Sequence, residues 1–235
     1  MRTNPFSQPV ILFEGIGAAG KTTLLSGITE QLAVRNLPAK RYKQPWFSEQ
    51  PGPDEMFLRH VIYASDPLAD IPDEMRVELQ RAITRQRHRM YRDMLIPDLM
   101  FLETGVALLD RCWVSTCVYA EATAGVPQEE VARWHEAIPH FFTADLTVIL
   151  DLPVDVALER SGKRGQRDIF EQEKDLQRRL REGFLRFAEA HAADNVVVLN
   201  ADCDPDTLLA ATMPHIDVLL VAKAGRKERS YGTAS

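Results

Sequence analysis

Residues 15–22 read GIGAAGKT, a complete match to G-x-x-x-x-G-K-S/T, and no other stretch restricts the possible folds as tightly. The pattern has a physical basis. Glycine is required where a loop takes φ angles closed to other residues and where backbone must approach a phosphate. Its amides and the positive end of the helix that follows then face the anion. Lys21 adds an ammonium at the β- and γ-phosphates, and Thr22 adds a hydroxyl for Mg²⁺. The loop residues Gly15, Gly17, Ala18, Ala19, Gly20, Lys21, Thr22 and Thr23 are therefore candidate ligands of ATP with Mg²⁺. Such a loop needs a strand before it and a helix after it. Val10 to Phe13 is a short apolar run, while Leu24, Leu25, Ile28 and Leu32 fall at helical spacing until Asn36-Leu37-Pro38.

Further β-rich runs recur at wide intervals: 40–43, 106–109, 146–150 and 196–199, with helical periods between most of them. Strands apolar on both faces that alternate with helices predict a mostly parallel sheet, covered on both sides. The 235 residues suit one domain over 1–222, with a polar, mobile tail over 223–235. Asp73 and Glu74 open a helix with apolar positions at Met75, Leu79, Ile83, Met90 and Met94, and Pro97 beyond its end. Its basic residues, among them Arg85, Arg87 and His88, read as a solvated face.

A net charge of −6 argues against nucleic acid as a general partner. Three cysteines without a C-x-x-C pair, an N-terminus lacking a signal-peptide core and the absence of an apolar run long enough for a bilayer predict a cytoplasmic protein without a membrane partner.

Two more segments carry chemistry. Asp110 and Arg111 end the strand VALLDR, where ligands bind in open α/β sheets, and an acidic residue there can assist Mg²⁺. Glu14, just before the loop, is a candidate to tune the metal or accept a proton, with a strand-end hydrogen bond as the alternative. Arg160 and Arg164 lie near glycines 162 and 165, a basic lid over about 160–170 that can close on a transferring phosphoryl group.

FEGIGAAGKTT, DRCWVSTCVYAEA and LTVILDLPVDVALERSGKRGQRDIFEQE, in that order, resemble the thymidylate kinases of the nucleoside monophosphate kinase superfamily. The resemblance implies a five-stranded parallel sheet of order 2-3-1-4-5 with helices on both faces, a homodimer, and transfer of the γ-phosphoryl group of ATP to dTMP. It assigns Arg111 to the acceptor phosphate, Ser115, Thr116 and Tyr119 to the acceptor sugar region, Arg87 to the base, and Arg160 and Arg164 to the lid. Several positions depart from the family pattern. Gly17 replaces a loop acid, Ala18 an arginine found in some members, Ile83 a base-stacking phenylalanine, Cys112 a tyrosine or histidine, and Ile169 a lid arginine. Either Lys43-Gln44-Pro45 or Glu49-Gln50-Pro51-Gly52 corresponds to R-E-P-G-G, and Trp46 and Phe47 are candidate replacement stackers. The donor half is intact and the acceptor half is rewritten, so a nucleoside or other small hydroxyl compound is the alternative acceptor.

Overall fold

The computed structural model describes residues 1–45, 51–62, 70–101, 105–164, 170 and 173–232. Five strands, β1 (Val10–Gly15), β2 (Ala39–Lys43), β3 (Val106–Asp110), β4 (Leu146–Asp151) and β5 (Val196–Asn200), form one sheet in the order β2-β3-β1-β4-β5. Every pairing is parallel, as expected from the sequence. The central strands are buried on both faces, which is why they read as continuous apolar runs. The edges are treated differently: β2 is AKRYK with only Tyr42 fully buried, and its lysines and arginine discourage pairing with another chain.

Parallel neighbours need crossovers, and the right-handed rule fixes the side of each. The step from β1 to β2 runs one way through α1 (Lys21–Val34). The remaining steps run the other way. They use α2 (Pro53–Ile62), α3 (Asp73–Met90) and α4 (Ile96–Phe101), then α5 (Trp113–Ala124) and α6 (Gln128–Glu136), and last α7 (Val154–Arg164) and α8 (Lys174–Ala190). α3, α5 and α8 accordingly share a face, packing α3 on α5 and α5 on α8, and α1 packs with the last helix, α9 (Pro205–Gly232), on the other. Asn36 closes α1 in the left-handed region, with its N–H on Ala33 and that of Leu37 on Leu32.

Three expectations need correction. The helix from Asp73 does not stop before Pro97. A π-turn over Tyr91–Leu95 carries it without a break into α4, whose second residue is Pro97. Met75 is 43% exposed and does not join the core. The tail does not begin at Lys223: α9 runs to Gly232, and Lys223 is buried, paired with Asp145 at 2.7 Å and donating to the Phe6 carbonyl at 2.9 Å.

The stretch Pro205–Gly225 of α9 is also long and apolar enough to cross a membrane by length and composition, contrary to the reading of the sequence. Its apolar stripe has a use in the fold. Leu208, Met213 and Ile216 are buried, and α9 packs against α1 and β5.

Candidate active site

Register brings the two site segments together. Phe13 lies opposite Asp110, and Gly15 opposite Leu150, so the loop after β1 and the Asp110-Arg111 pair emerge side by side at the carboxyl ends of the strands. At Gly15 a side chain is impossible: φ is +132° and a Cβ would sit 2.5 Å from the Leu150 carbonyl oxygen. Gly20, at φ +87°, is the residue preceding α1. Ala18 takes φ +58°, a left-handed conformation that costs an L-residue on the order of 1 kcal/mol and orients the loop amides. Lys21 is buried, and its ammonium donates to the carbonyls of Gly15 (3.0 Å) and Ile16 (2.8 Å). Those bonds hold the charge over the loop. Thr22 and Thr23 are exposed in the first turn of α1, and the Asp110 carboxylate is buried at the end of β3. A hydroxyl and a carboxylate at the mouth of a nest of amides are hard oxygen donors suited to Mg²⁺ beside a polyphosphate.

Glu14 makes the strand-end hydrogen bonds that its place in the sequence allowed as the alternative to a metal or proton role. It is completely buried, and its carboxylate accepts from the backbone N–H groups of Cys112 (2.8 Å) and Ser115 (3.0 Å) and from the Ser115 hydroxyl. Three of its roughly four acceptor positions are thereby committed to the start of α5, which is a positive helix end. Burial pushes the carboxyl above the ordinary carboxylate range, while Arg111 and Arg87 oppose the shift. Glu14 is thus a tether that fixes the start of α5 to the strand bearing the phosphate loop.

Around the start of α5, Arg111, Ser115 and Tyr119 come together. Arg111 adopts φ +67°, donates from NH1 to Ser115 Oγ at 3.1 Å, and lies 5.4 Å over the Tyr119 ring. Tyr119 meets Phe170 edge-on at 5.0 Å, a contact that sequence spacing does not signal. Thr116 is fully buried, and its hydroxyl has no hydrogen-bond partner among the described residues.

α3 presents two unlike faces. Arg85 and Arg89 are occupied by Asp54, with Arg85 also on Glu78, as a solvated face would be. Arg87 and His88 turn inward and are buried, contrary to that expectation for His88. Burial pulls the Arg87 guanidinium below its usual range, and its Nε and NH1 have no hydrogen-bond partner among the described residues. Ile83 is buried on the same helix. Gln44 is the residue the sequence reading left undecided. Its N–H donates to the Asp110 carbonyl at 2.9 Å, and its buried carboxamide has no partner among the described residues. Unpaired buried donors and acceptors beside a strand-end aspartate suit a polar ligand.

Arg160 points elsewhere: NH1 donates to the Ala201 carbonyl at 3.2 Å, and NH2 is 4.0 Å from Asp202. Arg164 ends α7, and its side chain lies outside the described residues, as do Trp46, Phe47 and residues 165–169 of the lid.

A phosphate loop between β1 and α1, with an aspartate–arginine pair at the carboxyl end of the neighbouring strand, is the layout of a P-loop nucleotide kinase. Comparison with known proteins narrows the class. The thymidylate kinase family model matches residues 71–209. Thymidylate kinase of Chromobacterium violaceum is 31% identical over 89% of this chain and 94% of its own length, and that of Thermosynechococcus vestitus 30% over 89% and 87%. A probable thymidylate kinase of Archaeoglobus fulgidus is 31% identical over 82% of this chain and 86% of its own. The chain belongs to the thymidylate kinase family, and as such is an enzyme of the nucleoside monophosphate kinase class.

Proposed function

We propose that this enzyme transfers the γ-phosphoryl group of ATP to the phosphate of dTMP or a closely related deoxynucleoside monophosphate, a reading supported by the relatives named thymidylate kinase. The observation that carries it is the commitment of Glu14. A hydroxyl acceptor must lose a proton to a base, whereas a phosphate acceptor is already anionic at neutral pH and needs none. With the Glu14 carboxylate engaged by α5, Asp110 is left to serve the metal, and the site favours an acceptor that arrives deprotonated.

Phosphoryl transfer depends on positioning and charge stabilisation more than on covalent chemistry. The amides of residues 15–20 and Lys21 hold the triphosphate. Thr22 and Asp110 would hold Mg²⁺, which neutralises charge on the phosphates when bound. Arg111, braced by Ser115 and Tyr119, draws in the acceptor phosphate. Tyr119 lies against the sugar, disfavouring a ribose 2′-hydroxyl, and Arg87 supplies donors to the base. Arg160 and Arg164 close on the migrating group once Arg160 leaves Ala201. The enzyme works as a homodimer on a small nucleotide.

ADP release measured against a panel of nucleosides and nucleoside monophosphates tests this. Turnover with dTMP and none with thymidine is expected; turnover only with unphosphorylated acceptors would overturn the reading. Arg111→Ala should raise KM for the acceptor far more than KM for ATP, and the reverse pattern would remove Arg111 from that role.

A further inference from the structure

Gln44 stands at the carboxyl end of β2, one residue past the Lys43–Asp110 pair. Its N–H donates to the Asp110 carbonyl at 2.9 Å, which sets it beside the turn at Arg111, one strand spacing or about 5 Å across the sheet. Side chains alternate along a strand, and Tyr42 gives the direction. The Tyr42 hydroxyl donates to Asp98 of α4, so Tyr42 and Gln44 both point to the face of the sheet covered by α3, α4 and α5. Arg87 and Thr116 stand on that face as well.

The Gln44 carboxamide is 2% exposed, and neither Nε2 nor Oε1 has a hydrogen-bond partner among the described residues. Lys21, Arg87 and Asp110 are enclosed to a similar degree, at 8%, 4% and 5%, so the enclosure is a property of the site. A buried amide with both atoms unpaired opposes folding, and a ligand that brings the missing partners relieves it. Oε1 is the selective atom, because it needs a donor. A phosphate offers acceptors alone and would leave Oε1 against negative charge. A thymidine nucleotide has two donors, the N3–H of the base and the 3′-hydroxyl of the sugar. The base is the part assigned to Arg87 on α3. The 3′-hydroxyl is carried on the sugar carbon next to the one bearing the phosphate arm, and so lies near a phosphate held by Arg111. Other acceptors are not available to it there: Glu14 is engaged by Cys112 and Ser115, and Gly17 of the loop has no side chain.

We propose that Gln44 is a specificity-determining residue whose Oε1 accepts from the 3′-hydroxyl of the acceptor sugar, selecting acceptors in which that group is intact. The proposal rests on the reading of the acceptor as a deoxynucleoside monophosphate.

The test compares dTMP with 3′-deoxythymidine 5′-monophosphate in the parent enzyme and in Gln44→Met, which keeps the length of the side chain and removes both polar atoms. A site built to pair a substrate hydroxyl rejects the analogue lacking it, so the parent should favour dTMP by at least about tenfold in kcat/KM. Gln44→Met should bring that ratio to within about threefold of unity, with the loss falling on dTMP and KM for ATP unchanged. Tm without nucleotide should stay level or rise, because the variant no longer buries an unpaired amide. A parent indifferent to the 3′-hydroxyl, an equal loss for both acceptors in Gln44→Met, or a lower Tm with the ratio preserved would each overturn the proposal. A parent that turns over no monophosphate removes the dTMP reading instead, and thymidine and 3′-deoxythymidine then judge Gln44 separately in the same comparison.

Discussion

Replacing Glu14 by Gln separates a tether from a catalyst. The glutamine carbonyl can still accept from Cys112 and Ser115, and the Ser115 hydroxyl can turn to accept from the new NH₂, so the hydrogen-bond count survives. What disappears is a buried negative charge next to Arg111 and Arg87. Bonds to an ionised group contribute about 1 kcal/mol more than neutral ones, and an uncompensated buried charge costs about 3–5 kcal/mol. A loss of roughly 3–5 kcal/mol is therefore expected, which for a chain of this size lowers Tm by ~6–20 °C. Urea unfolding gives the stability change, and KM for ATP, measured below the new melting range, should stay within about threefold of the parent. Arg87→Met in the Glu14→Gln background should recover part of the loss, since the double variant no longer buries an unpaired cation. Full stability with collapsed turnover would refute the tether and return Glu14 to the metal or the proton.

Other expectations follow from single contacts. Lys21→Ala should reduce phosphoryl transfer by several orders of magnitude with any acceptor, and undiminished ADP release would remove the loop assignment. Buried His88 is pulled from 6.5 down to about 4, first by burial and then by the positive neighbours His140 and Arg87, and His135 lies well below its usual value for similar reasons. The unfolded chain thus binds more protons: stability is complete above pH 6.5 and declines on acidification toward pH 4, by up to about 1.4 kcal/mol per pH unit for each histidine. His88→Gln should flatten that slope in urea titrations at pH 4–7; an unaltered slope would place the acid sensitivity elsewhere. Lys223→Met strips Asp145 of its cation and should cost about 3–5 kcal/mol, read as a lower Tm.

The sheet was legible because buried parallel strands cannot hide: VILFEG, VALLD and LTVILD are apolar on both faces, and the glycine loop fixes what precedes and follows it. The strand–loop–helix setting of GIGAAGKT was legible for the same local reason. The acceptor side was less so. Periodicity places Arg85, Arg87 and His88 on one helix but does not say which are turned inward, because that depends on where Asp54 and α5 pack. Glu14 illustrates the same gap: its partners are 98 and 101 residues away in the chain. Lys223 read as tail because a basic run looks solvated until Asp145 is placed beneath it. Pro97 misled because a π-turn absorbs the break that proline normally imposes.

The ion pair under α9 also bears on how the molecule is made. Asp145 stands at the threshold of β4 and accepts from Asn4 and from the Val10 N–H as well as from Lys223, so the first and last segments of the polypeptide meet on one carboxylate. During synthesis that carboxylate waits for a cation translated almost eighty residues later. Until α9 emerges and docks, the growing chain carries an exposed α1 flank and an unneutralised acid, so resistance to proteolysis is expected to rise sharply only once Lys223 has reached Asp145.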